Sequence, residues 1–339
     1  MKIAVRADGG NQIGIGHIMR TLVLAKELAK TNDVFYICKI SKESPEKYSK
    51  GIEIVKNSGF NIKTISETNI LDELKFIKAD CLITDSYDVD EDYFNNTKKM
   101  FEFTGYIDDL NLYNFNVDFI INQNIGSENY KYNTNKDTKL FLGTDYIMLR
   151  EEFRNTSLNL NINKRVKNIM ITVGGSDSNG ITNRIYNYIK DLPFEFHIII
   201  GPSFKKENIQ SLIELIKKGH RNIKLHINEK IINVMKKCDV AISACGSTLY
   251  ELAILGIPTL GIIVSDNQEL TAYKMEQRNI IFNLGWYNEL NKEKLLYYLN
   301  LICKYKNRKL MIQNYNIFNK YGVEKLACLI NDMYKEVNY

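Results

Sequence analysis

Arg6-Ala7-Asp8-Gly9-Gly10-Asn11-Gln12-Ile13-Gly14-Ile15-Gly16-His17-Ile18-Met19-Arg20 is the stretch from which the fold is read. The residues leading into it, 2–7, form a short β-rich run. Those after it carry Leu22, Leu24, Ala25 and Leu28 near a 3.6-residue period, the apolar face of a helix. A strand that passes through a Gly-rich turn into a helix starts an alternating α/β unit. Glycines let the backbone adopt positive φ or approach a ligand closely, and a helix N-terminus offers unpaired N–H groups to a phosphate. Gly14 and Gly16 are therefore expected at a substrate site. A dinucleotide fingerprint fits poorly, because Gly14-Ile15-Gly16 lacks the third glycine and no clear acidic residue closes the second strand.

His17 stands in the first turn of that helix, and only His197, His220 and His226 accompany it in the chain. A lone histidine is more often a cap or a packed ring. Here the adjoining glycines and the positive helix end, which favours a neutral imidazole, point to a general base. His17 is the expected catalytic residue. Arg20, on or near the same helix face, is expected to hold a phosphate or else to form an ion pair.

Outward from this loop, β-rich runs at 34–39, 61–65, 80–85, 102–108 and 117–122 alternate with helical stretches at 17–30, 69–77 and 89–99. A polar segment at 151–166 interrupts the rhythm and reads as a linker. Alternation resumes with strands at 168–173, 194–201, 223–226, 239–243 and 259–264. Helices are expected at 179–190, 206–218, 229–237, 247–255 and 268–278, and a helical tail from about 288 to 336. The fold class is α/β: two doubly wound Rossmann-like domains, 1–150 and 167–339, facing a central cleft, with ligands at the carboxyl ends of the strands.

The 339 residues suit about two domains of ~150 residues each. A composition of 45% hydrophobic and 25% charged residues excludes a disordered or low-complexity chain. No apolar run reaches the ~18 residues of a membrane span, and the first residues lack a signal-peptide layout. A cytoplasmic protein is expected, with no membrane partner. The net charge of +5 is spread rather than gathered in a stripe, which disfavours nucleic acid and suits an anionic small molecule. The six cysteines show no CxxC spacing, so neither a metal site nor disulfides are expected.

The Arg6-Ala7-Asp8 and Ile13-Gly14-Ile15-Gly16-His17-Ile18-Met19-Arg20 segments resemble the opening motif of the PseG family. Those enzymes are UDP-2,4-diacetamido-2,4,6-trideoxy-β-L-altropyranose hydrolases of pseudaminic acid biosynthesis. SpsG proteins, assigned to spore-coat polysaccharide synthesis, share the motif. The family is similar to MurG-type glycosyltransferases in its two-domain GT-B fold. The resemblance continues through Thr84-Asp85-Ser86-Tyr87, and implies that Tyr87 contacts the sugar, against the alternative of a packed aromatic. Asp85 reads equally as a helix cap. Ile107-Asp108-Asp109 matches a strand-end Asp-Asp of the family, but adjacent acids there usually cap a turn, and both are left outside the expected site. Tyr146 to Phe153 matches a Tyr-x-x-x-Arg-Glu-Glu-Phe at the domain junction.

In the second half, Val173-Gly174-Gly175-Ser176-Asp177 follows a strand and precedes a helix, a geometry that can face a phosphate; a simple tight turn is the competing reading, and the match to the family and the MurG-like fold implies diphosphate contact at Gly174, Gly175 and Ser176. Ser243 to Ala253 opens another helix with small residues, so Gly246 and Ser247 are expected at the pyrophosphate. The resemblance to MurG-like enzymes assigns Glu251 to the ribose hydroxyls, against the alternative of an ordinary exposed helical acid. Asp266-Asn267-Gln268 matches the family's Asn-Gln pair, which places Asn267 and Gln268 near the sugar; an N-cap at Asp266 or Asn267 is the alternative. Cys245 replaces a small residue of the family. The tail motif Tyr321-Gly322-Val323 matches only loosely, and the resemblance to GT-B proteins implies that the helical tail crosses back to brace the domains.

The resemblance implies a UDP-sugar hydrolase that needs no cofactor and no metal. Water attacks the anomeric carbon, His17 takes its proton, and UDP leaves with inversion. A monomer is expected. A MurG-like or SpsG-type glycosyltransferase is the alternative on the same scaffold, and a non-catalytic nucleotide-sugar binder is the alternative of another class.

Overall fold

The computed structural model describes residues 1–10, 13–157 and 162–338. The chain divides into two compact units, residues 1–150 with 321–339, and residues 151–320. Unit 1 runs β1 (Lys2–Ala7), α1 (Gly16–Leu28), β2 (Asp33–Ile40), α2 (Glu46–Asn57), β3 (Asn61–Ser66), α3 (Ile70–Leu74), β4 (Cys81–Asp85), α4 (Glu91–Met100) and β5 (Phe103–Ile107). It continues through β6 (Asn114–Phe115), β7 (Phe119–Asn122), β8 (Asn133–Thr134) and β9 (Lys139–Leu142). Seven strands form one parallel sheet in the order β3-β2-β1-β4-β5-β7-β9, and β6 pairs separately with β8. Every residue of β4 and β5 is buried, as in a parallel sheet covered by helices on both faces. The strand order reverses between β1 and β4. The loops after these two strands therefore diverge and leave the ligand crevice of a doubly wound sheet.

The glycines after β1 are required by packing. A Cβ on Gly9 would lie 2.7 Å from Ile18 Cγ1, and one on Gly10 would lie 1.7 Å from the Lys47 carbonyl oxygen of α2. The loop is also bonded down, Gly51 N to Gly9 O at 3.1 Å and Gly10 N to Gly14 O at 2.8 Å. Gly14 adopts φ +77°, where a side chain would be strained. Asn11 and Gln12 lie outside the described residues.

Unit 2 runs α5 (Glu151–Arg154), β10 (Asn168–Thr172), α6 (Ile181–Ile189), β11 (Glu195–Ile200), α7 (Lys206–Lys217), β12 (Ile223–Ile227) and α8 (Ile231–Met235). Then come β13 (Val240–Ala244), α9 (Thr248–Ile254), β14 (Thr259–Ile263), α10 (Glu269–Gln277), β15 (Ile281–Trp286), α11 (Lys292–Cys303) and α12 (Tyr305–Gln313). Its parallel sheet has the order β12-β11-β10-β13-β14-β15, with the reversal between β10 and β13. The segment expected as a linker begins as part of this unit: Phe153 of α5 is fully buried beside Met170 and Leu252. Residues 158–161 of that segment lie outside the described residues.

Periodicity did not mark β9 and β15. Both are edge strands with only scattered fully buried positions, so neither carries the unbroken apolar run of a central strand. The tail also differs from the expected continuous helix within the second domain. It breaks after α12, and its last helix, α13 (Gly322–Asn338), belongs to unit 1. Val323, Leu326, Ala327 and Ile330 of α13 enter the same apolar cluster as Leu22, Ala25 and Leu28 of α1. This explains why α1 is buried on more than one face.

Gly322 allows that docking. A Cβ there would meet the Ile147 backbone nitrogen at 2.4 Å and oxygen at 2.7 Å, rigid atoms that cannot rotate away. Gly322→Ala is expected to destabilise the protein by about 1–3 kcal/mol, the usual cost of overpacking. Urea unfolding checks this: the midpoint should fall, with an unchanged slope.

Candidate active site

At the carboxyl edge of the unit 1 sheet, α1 and the ends of β4, β5 and β7 bring six polar groups together. His17 is the second residue of α1, whose first turn contains no acid and whose N-cap, Ile15, supplies no side-chain cap. The ring Nδ1 and Asp85 Oδ1 are 2.5 Å apart. Asp85 ends β4 and is fully buried. Arg20, one turn beyond His17, donates to the same carboxylate through Nε at 2.6 Å and Nη2 at 2.6 Å. Its Nη1 reaches both oxygens of Asp109, at 2.7 and 2.8 Å. Asp109, just beyond β5, also accepts from the Tyr87 hydroxyl at 2.7 Å and from Asn124 Nδ2 at 2.8 Å. The Tyr87 and His17 rings meet edge to face, with centroids 4.6 Å apart.

The charges of this cluster follow from its contacts. Burial works to raise the Asp85 carboxyl, but Arg20 and then His17 outweigh it and hold it below the ordinary carboxylate value. Burial opposes ionisation of Asp109 too, and Arg20 again prevails, holding it well below that value. An ionised Asp85 can only accept, so the proton in the His17–Asp85 bond sits on Nδ1, which puts the lone pair of the neutral ring on Nε2. Burial, reinforced by Asp109, pushes the Tyr87 phenol far up.

The neighbouring acids at the end of β5 divide their work. Asp108 does cap a turn: its Oδ2 accepts from Asn111 N at 2.9 Å and from the Tyr132 hydroxyl at 2.6 Å, and burial raises its pKa. Asp109 enters the site instead. Asp85 is not a helix cap either, since Asp90 caps α4 by accepting from Tyr93 N at 2.8 Å. Arg20, expected at the substrate, commits all three guanidinium nitrogens to Asp85 and Asp109, which is the ion-pair alternative.

Arg6 and Asp8 lie behind the site rather than in it. Both are buried; the Arg6 guanidinium carbon sits 4.7 Å above the Tyr93 ring, and Asp8 Oδ1 accepts from Lys39 N at 2.7 Å. Lys39 Nζ also donates to Asp88 at 2.8 Å, so this web ties the loops after β1 and β4 to the end of β2. No group of three His, Cys, Asp or Glu side chains suited to a metal ion occurs among the described residues.

In unit 2, Gly174, Gly175, Ser176, Gly246 and Ser247 follow β10 and β13, the strands of that sheet's own reversal point, while Glu251 lies on α9 and Asn267 and Gln268 follow β14. Gly174 has φ +96°, with open space where a Cβ would stand. The Gly174 and Gly175 carbonyls turn toward Gly201, whose Cβ would meet them at 2.5 Å, and Ser203 N donates to Gly175 O at 2.9 Å. In a trans peptide the N–H lies opposite the carbonyl, so the Gly175 and Ser176 N–H groups face away from β11. The helix beyond this loop is not an open anion site, however. Asp177 caps α6 with both oxygens, to Ile181 N at 2.7 Å and Thr182 N at 2.9 Å.

Gly246 and Ser247 follow β13, and Gln268 Nε2 lies 3.7 Å from the Cβ position of Gly246. Gln268 Oε1 accepts from Val264 N at 3.1 Å, which holds that side chain beside the β13 loop. Glu251 is buried on α9 rather than being an exposed helical acid. Asn267 caps no helix; its Oδ1 accepts from the Ser265 hydroxyl at 2.6 Å. Cys245 is buried, and burial raises its thiol far above the reactive range. His197 and His226 bond to one another, Nδ1 to Nε2 at 3.0 Å, on β11 and β12.

No protein-family model matches the chain. An uncharacterized protein of Methanocaldococcus jannaschii is 32% identical over 283 residues, 79% of this chain, and the match spans 57% of that relative's length. The spore coat polysaccharide biosynthesis protein SpsG of Bacillus subtilis is 24% identical over 99% of both chains. A UDP-2,4-diacetamido-2,4,6-trideoxy-β-L-altropyranose hydrolase of Campylobacter jejuni is 26% identical over 80% of this chain and 95% of its own. Among solved structures, MurG of Acinetobacter baumannii superposes with a TM-score of 0.66 over 97% of this chain and 99% of its own, at 13% identity. The chain has the GT-B fold. Its resemblance to the PseG and SpsG proteins is carried by the sequence over most or all of its length.

Within this GT-B chain, the residues that sequence reasoning left out are Asp85, Asp109 and Asn124. The available signal was position: each stands at or just beyond the carboxyl end of a strand, β4, β5 or β7, on the edge where α/β sheets bind ligands. Among the described residues no helix is long and apolar enough to cross a membrane.

Proposed function

We propose that the protein hydrolyses a UDP-sugar, releasing UDP by attack of water on the anomeric carbon. The observation that carries this reading is the His17–Asp85 pair. A carboxylate held ionised by Arg20 fixes the proton on Nδ1 and leaves Nε2 as a base at the reversal point of the unit 1 sheet. In the proposed step the water oxygen bonds to the anomeric carbon as the bond to the β-phosphate oxygen breaks. The water proton passes to His17 Nε2, and UDP departs with the bonding electrons. A single displacement gives inversion. Tyr87, whose ring lies edge to face against His17, is the proposed sugar contact.

The roles proposed for unit 2 are diphosphate contact by the N–H groups of Gly175, Ser176 and the Gly246-Ser247 turn, ribose contact by Glu251, and sugar contact by Asn267 and Gln268. The similarity to the Campylobacter jejuni hydrolase supports UDP-2,4-diacetamido-2,4,6-trideoxy-β-L-altropyranose as the substrate. The proposal places the enzyme in sugar biosynthesis, acting as a cytoplasmic monomer.

The test follows the anomeric proton of that UDP-sugar by NMR, with purified protein, EDTA and no acceptor. UDP release with inverted free sugar is expected. An unchanged substrate, with release only on addition of an acceptor hydroxyl, would instead make the protein a glycosyltransferase using the same base.

A further inference from the structure

Asp109 makes the unit 1 site one positive charge short. Two carboxylates, Asp85 and Asp109, face a single guanidinium, Arg20, and all three are almost wholly buried. Burying a charge without a counter-charge is costly, and Asp85 alone would satisfy Arg20. The remaining group of the cluster is the His17 ring, which bonds to Asp85, while the Tyr87 hydroxyl bonds to Asp109. Asp108, next in sequence, directs its carboxylate to Tyr132 and Asn111 instead. Arg6, Asp8, Lys39 and Asp88 pair among themselves. The His17–Arg20–Asp85–Asp109 cluster is therefore balanced in charge only when His17 carries a second proton, the state reached as a base takes a proton from its nucleophile. A site built for that state stabilises the transition state more than the ground state.

We propose that Asp109 is a positioning residue for the reaction proposed above, on which this inference rests. Its carboxylate braces Arg20 against Asp85, favours the imidazolium that forms on His17, and turns the Tyr87 phenolic proton inward. Since ionised Asp109 only accepts, the Tyr87 oxygen is left with lone pairs alone for its other contacts.

The test compares wild type with Asp109→Asn, Asp109→Ser and Tyr87→Phe. Both neutral Asp109 variants remove the extra negative charge; the serine leaves room for water should the misplaced amide hinder folding. In each, kcat should fall about tenfold and the acid limb of its pH profile should move down by up to about one unit, one pH unit being one tenfold step. Tyr87→Phe keeps the charge, so it should raise KM without moving the acid limb. An acid limb that stays in place in both neutral variants overturns the inference, as does a loss of activity that only follows the folded fraction. Should the wild type release no UDP, the hydrolase reading fails by itself. The pH midpoint of the His17 ring signals in ¹⁵N NMR then still decides for Asp109: it should fall in both neutral variants, and an unmoved midpoint rejects the role.

Discussion

His17→Ala should lower kcat for UDP-sugar hydrolysis by roughly 10²–10⁴-fold, the usual contribution of a general base, with little change in KM. The substitution deletes Nε2, the proposed proton acceptor, and leaves the framework around it in place. Asp85 keeps two donors from Arg20, and Asp109 keeps Arg20, Tyr87 and Asn124. The α1 backbone holds its place through Ile18, Leu22 and Leu28, all buried in the apolar cluster shared with α13. Folding should therefore be nearly unaffected. Steady-state UDP release together with a thermal melt separates the outcomes. A large loss of kcat at an unchanged melting point supports the base; equal losses in both would make His17 a packing residue, and unchanged kcat would remove it from the chemistry.

Asp85→Asn should be nearly as damaging to turnover, and it should also cost stability. Three donors point at the Asp85 carboxylate: His17 Nδ1, Arg20 Nε and Arg20 Nη2. An amide offers one oxygen, and its NH2 group must then face a donor. The least costly escape is for His17 to move its proton to Nε2 and accept at Nδ1, which abolishes the base. A loss of kcat on the order of 10²–10⁴-fold follows, as for direct loss of the base. The stability cost should approach the roughly 3–5 kcal/mol of a broken buried pair, reduced because Arg20 retains Asp109.

The pH dependence gives an independent check on Asp85. Its folded pKa lies below the unfolded value of about 3.9. Its stabilisation is therefore fully present above that value and is lost as pH falls through the lowered folded value. The difference in unfolding free energy between wild type and Asp85→Asn should shrink as the pH falls below about 4. A constant difference down to acid denaturation would mean that Asp85 is not ionised in the folded protein.

Much of this was legible because it is local. The central strands β1, β4, β10 and β13 announce themselves as apolar runs, for both their faces are buried. The Gly-rich turn and His17 are readable since the strand, turn and helix lie within twenty residues of one another. Edge strands β9 and β15 were illegible because neither carries an unbroken buried run. The resemblance to GT-B proteins implied that the tail crosses back, but not where it docks, for its apolar face would suit any partner; the fit of Gly322 against Ile147 selects this site.

The candidate site divides in the same way. By itself the sequence determined the alternating α/β class, the resemblance to PseG and SpsG, and the placing of His17 at a helix start beside glycines. Only the tertiary structure decided what the acids do. Asp85, Asp90, Asp108, Asp109 and Asp177 have the same side chain near the end of a strand or the start of a helix. Asp90, Asp108 and Asp177 accept from nearby backbone N–H groups and cap. Asp85 and Asp109 face a guanidinium 65 and 89 residues away along the chain and become the ionised frame of a base. The reason is physical: a carboxylate's charge and role depend on the donors that folding brings to it, and for these two the donors come from distant elements that no local pattern records.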